Sequence, residues 1–319
     1  MNRAYQLAMT IWNRNPRPQT LAAPVCVRGN GLHGNLPCTV RLVPVDRATG
    51  LVFRHLPSGT DIPVNAKYAG DLTLATTLVK DGIRLQTVEH LLSALVGLEV
   101  DHLLIELDAE ELPILDGSAE PWVSAILQAG VQTLAGKRRF IKITQPVEVH
   151  QNDKWIRVSP SNGFGLRIRY TIDFDHPAIG RQSREISLTP DKYRRDVGTA
   201  RTFCLEEEIS TMRARGLALG GSLDNALVFG AEGPLNEVLR FEDEAVRHKM
   251  LDLIGDLALL GAPLAGLVEA HVAGHALHVA LAKAILDQPE AWTWAEVTEE
   301  GGSRKRPEPR FSHVFAGIA

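Results

Sequence analysis

Two periods of hydrophobic and polar residues alternate along the chain, and they predict its strands and helices. Apolar residues recur at every second position in several short stretches, which is the period of a half-buried strand. The predicted strands lie in CTVRLVPV, GLVFRHL, DHLLIELDA, FIKITQPVEVH, KWIRVSP, FGLRIRYTIDF and AGLVEAHV. Helical periodicity predicts four helices, the first capped by Thr87 and ending at Gly97. The other three are WVSAILQAG, ending at Gly130, and the segments of about 242–260 and 274–286.

Strands precede helices in both halves of the chain, which predicts an α+β fold. A polar connector, QTLAGKRRF, separates the halves, and we place a domain boundary in it near residue 136. The prediction is therefore two similar domains, residues 1–136 and 137–319, each with helices packed on a sheet. The lead-in of residues 1–18 and the charged tail EEGGSRKRPEPRF are predicted to be loosely ordered.

Composition narrows the class of protein. With 45% hydrophobic and 23% charged residues, the chain is typical of a globular protein, and its net charge of −4 gives no overall reason to bind nucleic acid. Three widely spaced cysteines, Cys26, Cys38 and Cys204, indicate a reducing compartment rather than a disulfide framework. No apolar run reaches the roughly 20 residues of a membrane helix, and no signal peptide is apparent. We therefore expect a cytoplasmic protein.

The long helix contains polar residues at a regular spacing. In RHKMLDLIGDL, a helical wheel places His248, Lys249, Asp252 and Asp256 on one arc, opposite an apolar face. His248 and Asp252 are four residues apart, so they can share one metal ion. The alternative is a solvated face that carries an acid–histidine pair, and this segment alone favours that alternative.

Three other segments carry candidate chemistry. Glu89 and His90, adjacent in TVEHLL, could be a general base beside a metal ligand. An acid that favours a helix start and a histidine in the core would give the same sequence pattern. His275 in GHAL suits an acid whose other ring nitrogen is held by Asp256. Thr202 in ARTF is a hydroxyl donor or an ordinary strand-end residue. None of these segments decides the question by itself.

Several long phrases together resemble a known family. TVEHLLSAL, ELPILDGSAEPWV, FDHPAIG, ARTF, RGLALGGSLDNALV, RFEDEAVRHKMLDLIGDL and GHAL occur in this order. They resemble the zinc-dependent UDP-3-O-acyl-N-acetylglucosamine deacetylases of lipid A biosynthesis, from about Pro18 to about Leu286. The resemblance implies hydrolysis of the substrate's acetamide to acetate and UDP-3-O-acyl-glucosamine, the committed step of that synthesis. It also implies two facing α+β domains with the active site between them.

The same resemblance implies a zinc amidohydrolase with a defined set of site residues. The implied cofactor is Zn²⁺, and its ligands at matching positions are His90, His248 and Asp252. Glu89 corresponds to the general base, and His275 corresponds to the general acid or electrostatic stabiliser.

Further residues are implied to orient groups or to bind substrate. Asp256 would orient His275, Thr202 would stabilise the oxyanion, and Lys249 would contact the substrate. An insert of the second domain, about residues 203–228, would form an apolar passage for the acyl chain. Its expected lining residues are Phe203, Ile209, Met212, Leu217, Leu223, Ala226 and Val228.

Two positions depart from the family pattern. Cys204 stands where the family usually has glycine, beside the passage, and His278 stands where it usually has asparagine. The implied partner is the acylated UDP-N-acetylglucosamine, without nucleic acid. We also expect peripheral contact with the inner membrane and a monomeric protein.

Overall fold

The computed structural model describes residues 15–163, 165–236 and 238–297. It shows an α+β fold, as predicted, with two large sheets, several small ones and six α-helices among these residues. Residues 1–14 of the predicted lead-in and the predicted loose tail lie outside the described residues. Among the described helices, none is long and apolar enough to cross a membrane.

The elements follow one another in this order. The strands before residue 136 are β1 (Gln19–Leu21), β2 (Val25–Asn30), β3 (Pro37–Val43), β4 (Leu51–His55), β5 (Thr60–Pro63), β6 (Leu78–Lys80), β7 (Ile83–Leu85), β8 (Leu103–Leu107) and β9 (Val131–Thr133). The later strands are β10 (Arg139–Ile143), β11 (Val147–Gln151), β12 (Lys154–Ser159), β13 (Leu166–Asp173), β14 (Arg181–Ser187), β15 (Phe203–Leu205), β16 (Leu227–Gly230), β17 (Gly233–Pro234), β18 (Leu264–His271) and β19 (Trp292–Glu296). The helices are α1 (Glu89–Gly97), α2 (Glu120–Ala129), α3 (Pro190–Asp196), α4 (Glu206–Ala214), α5 (Glu244–Leu257) and α6 (His275–Asp287).

Each large sheet is built from one side of residue 136. The first has the order β2-β3-β8-β4-β5, and only the β4–β8 pair in it is parallel. The second has seven strands around β18, which pairs with β10 and β13 in parallel and with β12 in antiparallel fashion. The proposed boundary near residue 136 falls in the loop between β9 and β10. The division into two domains stays a prediction.

Strands with a clear apolar alternation such as β13 were predicted correctly, whereas several others were missed, among them the polar β14 and the wholly buried β16. In β13, alternate residues are buried, which is the burial pattern of a strand with one face on a core. β14 is polar, and only Ile186 among its seven residues is buried. The helices α3 and α4 bury one residue and none, respectively. Their sequences therefore lack the apolar period that a prediction needs.

The start of α1 differs from the prediction. Thr87 does not cap the helix, because it adopts a left-handed φ of 60° and its hydroxyl donates to Glu111 at 3.4 Å. Val88 takes the cap position, without a side-chain hydrogen bond. The predicted end of α2 is confirmed, since Gly130 follows it with a φ of 72°.

The close packing of α1 on α5 brings the two halves of the candidate site together. A Cβ on Gly255 would lie 2.1 Å from the backbone oxygen of Glu89, so only glycine permits this approach. All of α5 except Lys249 is buried, including its polar residues. The alternative of a solvated polar face on this helix is therefore wrong.

Candidate active site

Three predicted metal ligands converge where α1 meets α5. The Nε2 atoms of His90 and His248 lie 3.8 Å and 3.2 Å from Oδ1 of Asp252. The two imidazole rings are nearly perpendicular, with centroids 5.0 Å apart. One donor atom from each residue lies within 4.8 Å of the others, and all three side chains are buried. The i,i+4 spacing on α5 and the packing of α1 together produce this arrangement.

The chemistry of these donors fits a zinc ion. Oδ1 of Asp252, the oxygen nearest both histidines, is buried and has no hydrogen-bond partner, a condition that costs about 1–3 kcal/mol. Nδ1 of His248 donates to the carbonyl oxygen of Ala200 at 3.0 Å, which leaves its Nε2 lone pair directed at Asp252. Burial lowers the pKa of His90 to about 3, so the ring is neutral, as a metal ligand must be.

Asp252 keeps its charge despite its burial. Burial acts to raise its pKa, but His248 and Lys249 hold that pKa well below its usual range. The Lys249 ammonium donates to Oδ2 at 2.5 Å, while Oδ1 faces the two histidines. One carboxylate oxygen therefore remains available to a cation when the other is held by lysine.

Glu89 lies beside this cluster as a buried carboxyl group. Burial raises its pKa to about 7, and the charges of Asp256 and Asp252 add to the increase against the effect of His275. Its Oε2 accepts a hydrogen bond from the backbone N–H of Thr76 at 3.0 Å. A carboxylate with a pKa near 7 is well matched to proton transfer at neutral pH.

Asp256 holds two histidines with a single oxygen. Its Oδ2 accepts hydrogen bonds from Nδ1 of His275 and Nδ1 of His278, each at 2.8 Å. Burial acts to lower the pKa of His275, but the charges of Asp256, Asp252 and Glu89 outweigh this effect and raise the pKa to about 9. His275 therefore carries a proton at neutral pH. Its Nε2 lies 4.0 Å from Oδ2 of Asp252.

The trio of Asp256, His275 and His278 is also compact enough to hold a metal ion. Unlike the first cluster, however, it is satisfied by hydrogen bonds: Oδ1 of Asp256 accepts from the Thr76 hydroxyl at 2.5 Å, and Oδ2 accepts from both histidines. The unpaired carboxylate oxygen of Asp252 makes the first cluster the better zinc site.

Thr76 is a site residue that sequence reasoning missed. Its backbone N–H bonds Glu89 and its hydroxyl bonds Asp256, so it links the candidate base to the residue that holds His275. No local pattern marks it, because its partner Asp256 is 180 residues away in the sequence.

A cavity of about 570 Å³ opens beside these groups. Its lining includes eight predicted site residues, namely Glu89, His90, Thr202, Phe203, His248, Lys249, Asp252 and His275. Asp256 is fully buried behind His275 and does not line the cavity. Gln151, Lys154 and His33, for which the sequence predicted no firm role, also line it.

A second cavity of about 340 Å³ adjoins the first and shares Thr202 and Phe203 with it. Most of the residues expected in the acyl passage line this cavity, namely Phe203, Ile209, Met212, Leu223, Ala226 and Val228. Leu217 is not among its lining residues, and its backbone N–H instead closes a turn by bonding the Met212 carbonyl at 2.9 Å. Cys204 does line the cavity.

Residues 18–287 match the UDP-3-O-acyl N-acetylglycosamine deacetylase family, LpxC. The chain belongs to this family. The matched segment includes every candidate zinc ligand and proton-transfer residue described above.

Individual members of the family are similar over nearly their whole length. A UDP-3-O-acyl-N-acetylglucosamine deacetylase of Anaeromyxobacter dehalogenans (strain 2CP-C) is 42% identical over 293 residues, covering 92% of this chain and 93% of the relative. The enzyme of the same name from Anaeromyxobacter sp. (strain Fw109-5) is 42% identical over 282 residues, 88% of this chain and 91% of the relative. The one from Actinobacillus succinogenes is 43% identical over 285 residues, 88% of this chain and 93% of the relative.

Proposed function

We propose that this member of the deacetylase family hydrolyses the acetamide of UDP-3-O-acyl-N-acetylglucosamine with one zinc ion held by His90, His248 and Asp252. The products are acetate and UDP-3-O-acyl-glucosamine, and the step belongs to lipid A biosynthesis. The observation that carries the proposal is the buried His90–His248–Asp252 cluster with an unpaired carboxylate oxygen, beside a carboxyl group with a pKa near 7.

Zinc held there would act as a Lewis acid on the acetamide carbonyl and make water acidic enough to attack near neutral pH. Glu89 is placed to accept the proton that the attacking water loses, because it adjoins the ligand His90 and lines the same cavity. Thr76 holds the carboxylate through a backbone hydrogen bond. The new C–O bond forms as this proton moves to Glu89.

The protonated ring of His275 stabilises the negative oxygen that develops on the attacked carbon, and the Thr202 hydroxyl is the second proposed donor to it. Both residues line the cavity. Asp256 fixes the ring by accepting from Nδ1 at 2.8 Å, so Nε2 is the nitrogen left to act on the substrate. When the C–N bond breaks, the leaving amine takes a proton from Nε2 of His275 and the C=O bond re-forms to give acetate.

Charge and shape support the proposed substrate. Lys249 lines the larger cavity, and we assign its ammonium to the substrate's phosphates, in exchange for its present contact with Asp252. The apolar cavity that begins at Phe203 is assigned to the acyl chain. Phe203 stands at the junction, with its ring 5.9 Å from the Lys249 ammonium and 5.5 Å from the Phe174 ring.

The remaining expectations are kept as part of the proposal. We assign the protein to the cytoplasm, as a monomer that contacts the inner membrane peripherally and binds no nucleic acid. Two domains, residues 1–136 and 137–319, are proposed to face each other across the site. In support, the cavity is lined from both sides of residue 136, for example by Glu89 and His248.

Acetate release tests the function directly. The purified protein is incubated with UDP-3-O-acyl-N-acetylglucosamine, and with UDP-N-acetylglucosamine as the matched substrate without an acyl chain. We expect acetate from the acylated substrate, loss of activity after chelation, and recovery when zinc is restored. Absence of acetate from the zinc-loaded protein would refute the proposal, and equal rates on both substrates would refute the role of the acyl passage.

A further inference from the structure

His278 has no role in the reaction described so far, yet it is one of the most deeply buried polar side chains. Its Nδ1 lies 2.8 Å from Oδ2 of Asp256, and its Nε2 lies 2.8 Å from the Tyr170 hydroxyl. His275 uses the same oxygen of Asp256 but, unlike His278, lines the cavity. Two histidines therefore share one carboxylate oxygen, and only one of them lines the cavity.

The chemistry of these groups fixes the direction of the hydrogen bonds. An ionised carboxylate only accepts, so both histidines donate their Nδ1–H to Asp256. The Tyr170 hydroxyl has a single proton, which it donates to the carbonyl oxygen of Ala273, so it contacts Nε2 of His278 through its oxygen. The Tyr170 hydroxyl lies 2.8 Å from this nitrogen and also 2.8 Å from the carbonyl oxygen of Ala273. Tyr170 thus joins His278 to the loop that precedes His275.

That loop is held in an uncommon conformation. Val272 has a φ of 50°, a left-handed value that residues branched at the β-carbon rarely adopt unless their surroundings impose it. Its backbone N–H donates to the carbonyl oxygen of Thr171 at 2.8 Å. β13 therefore holds the loop at two neighbouring residues, through the Thr171 carbonyl and the Tyr170 hydroxyl. The next helix, α6, begins with His275 itself.

We propose that His278 and Tyr170 are positioning residues, which hold the Asp256–His275 pair in the geometry that proton transfer requires. The inference rests on the roles proposed above for Asp256 and His275. His278 fixes the side of the carboxylate that bonds His275, while Thr76 fixes the other oxygen. Without His278 the carboxylate can rotate about its side-chain bond, and His275 is no longer directed at the substrate.

Steady-state kinetics of the zinc-loaded enzyme separate positioning from binding. In His278→Leu, the Asp256 oxygen loses a donor, and we expect kcat to fall about 10–100-fold, the range found when residues that orient metal-site groups are replaced. KM should change less than about twofold, because neither residue lines the substrate cavities. His278→Asn retains an N–H donor and should recover most of kcat. Tyr170→Phe should lower kcat in the same direction, although by a smaller factor.

Tyr193→Phe is the matched control. It removes another fully buried phenol hydroxyl, which bonds Ser93 at 3.0 Å, and it should leave kcat unchanged. Wild-type kcat in a fully zinc-loaded His278→Leu enzyme would overturn the proposal. The proposal would also be overturned if the Leu and Asn variants lost kcat equally and in proportion to the fall in their melting temperatures. That result would show a purely structural role for His278. A second tightly bound zinc that disappears in His278→Asn would identify the trio as a metal site instead.

One measurement keeps this inference separate from the proposed function. Nitrogen-15 NMR of the histidine side chains in zinc-free protein should show His278 protonated at Nδ1, with its signals shifted in Tyr170→Phe. If the wild-type enzyme releases no acetate, the proposed function is refuted. The NMR result still tests the hydrogen bonds that His278 makes with Asp256 and Tyr170. A His278 ring protonated at Nε2 alone would overturn the network whatever the activity.

Discussion

Replacing Glu89 with glutamine is the sharpest test of the proposed general base, since the two side chains have almost the same shape. The amide oxygen of glutamine can still accept the hydrogen bond that Thr76 donates at 3.0 Å. The three proposed zinc ligands are left intact. The substitution therefore removes little besides the capacity to take a proton.

The expected loss of activity follows from what a base contributes. General acid–base catalysis typically supplies about 10²–10⁴-fold, and the pKa of about 7 at Glu89 is close to the optimum for this work. We therefore expect kcat to fall by about 10²–10⁴, equivalent to about 3–5 kcal/mol of activation free energy. KM should change little, because the interaction is made in the transition state.

The same substitution should not weaken the zinc-free fold. The pKa of Glu89 is raised from 4.5 to about 7, so its protonated form stabilises the folded state below pH 4.5, and this contribution is lost as pH rises through 7. The loss is on the order of 3 kcal/mol at pH 8. Glutamine stays neutral, so the zinc-free variant should unfold at the wild-type temperature or above it at that pH.

Three measurements on one sample decide the matter: acetate release at saturating substrate, zinc content by mass spectrometry, and thermal unfolding after chelation. The surface substitution Glu110→Gln is the control for replacing a carboxylate with an amide, and it should behave as wild type. Wild-type kcat with full zinc in Glu89→Gln would refute Glu89 as the base. Loss of zinc would instead assign Glu89 to the metal site.

Three further outcomes are expected. His248→Ala should lose stoichiometric zinc during gel filtration, whereas His271→Ala, which removes a ring stacked on Trp155, should keep it; retained zinc in the first variant would exclude His248 as a necessary ligand. The pH profile of kcat/KM should rise as Glu89 loses its proton and fall as His275 loses its own. Both midpoints should lie below the zinc-free pKa values of about 7 and about 9, because zinc is positive. A fall at alkaline pH that persists in His275→Gln would contradict this assignment. Cys204→Gly removes a side chain from the acyl cavity. Burial of one more methylene is worth about 0.8 kcal/mol, so the ratio of kcat/KM values should shift about fourfold toward a substrate whose acyl chain is one carbon longer. An unchanged ratio would show that Cys204 does not limit the passage.

The sequence predicted elements whose residues alternate between a core and solvent, and it failed where this contrast is absent. β13 shows the alternation and was found, whereas β14 lies at a sheet edge with one buried residue and was not. The incorrect Thr87 cap has a similar cause, because a long-range contact with Glu111 fixes that residue. Local preference gave way to tertiary structure at this position.

For the candidate site, periodicity placed the polar residues of α5 on one face but could not show whether that face meets water or another helix. The deciding feature is the approach of α1 at Gly255, a contact between residues far apart in the sequence. Thr76, Tyr170 and Lys154 were missed for the same reason. The roles of Glu89 and Thr202 came from resemblance to a family, since their own segments fit ordinary helix-start and strand-end residues equally well.

One set of carboxylates supports opposite protonation states in the two proposed proton-transfer residues. Burial raises the pKa of Glu89, and the charges of Asp256 and Asp252 add to that rise. The same two carboxylates raise the pKa of His275 against the effect of its burial. Glu89 starts from a lower value than His275, and the result is an interval between about 7 and about 9 in the zinc-free protein. Within it Glu89 is ionised and His275 is protonated, the combination needed for one group to take a proton while the other stabilises a developing anion. Zinc held by the proposed ligands would lower both limits and move the active interval toward neutral pH.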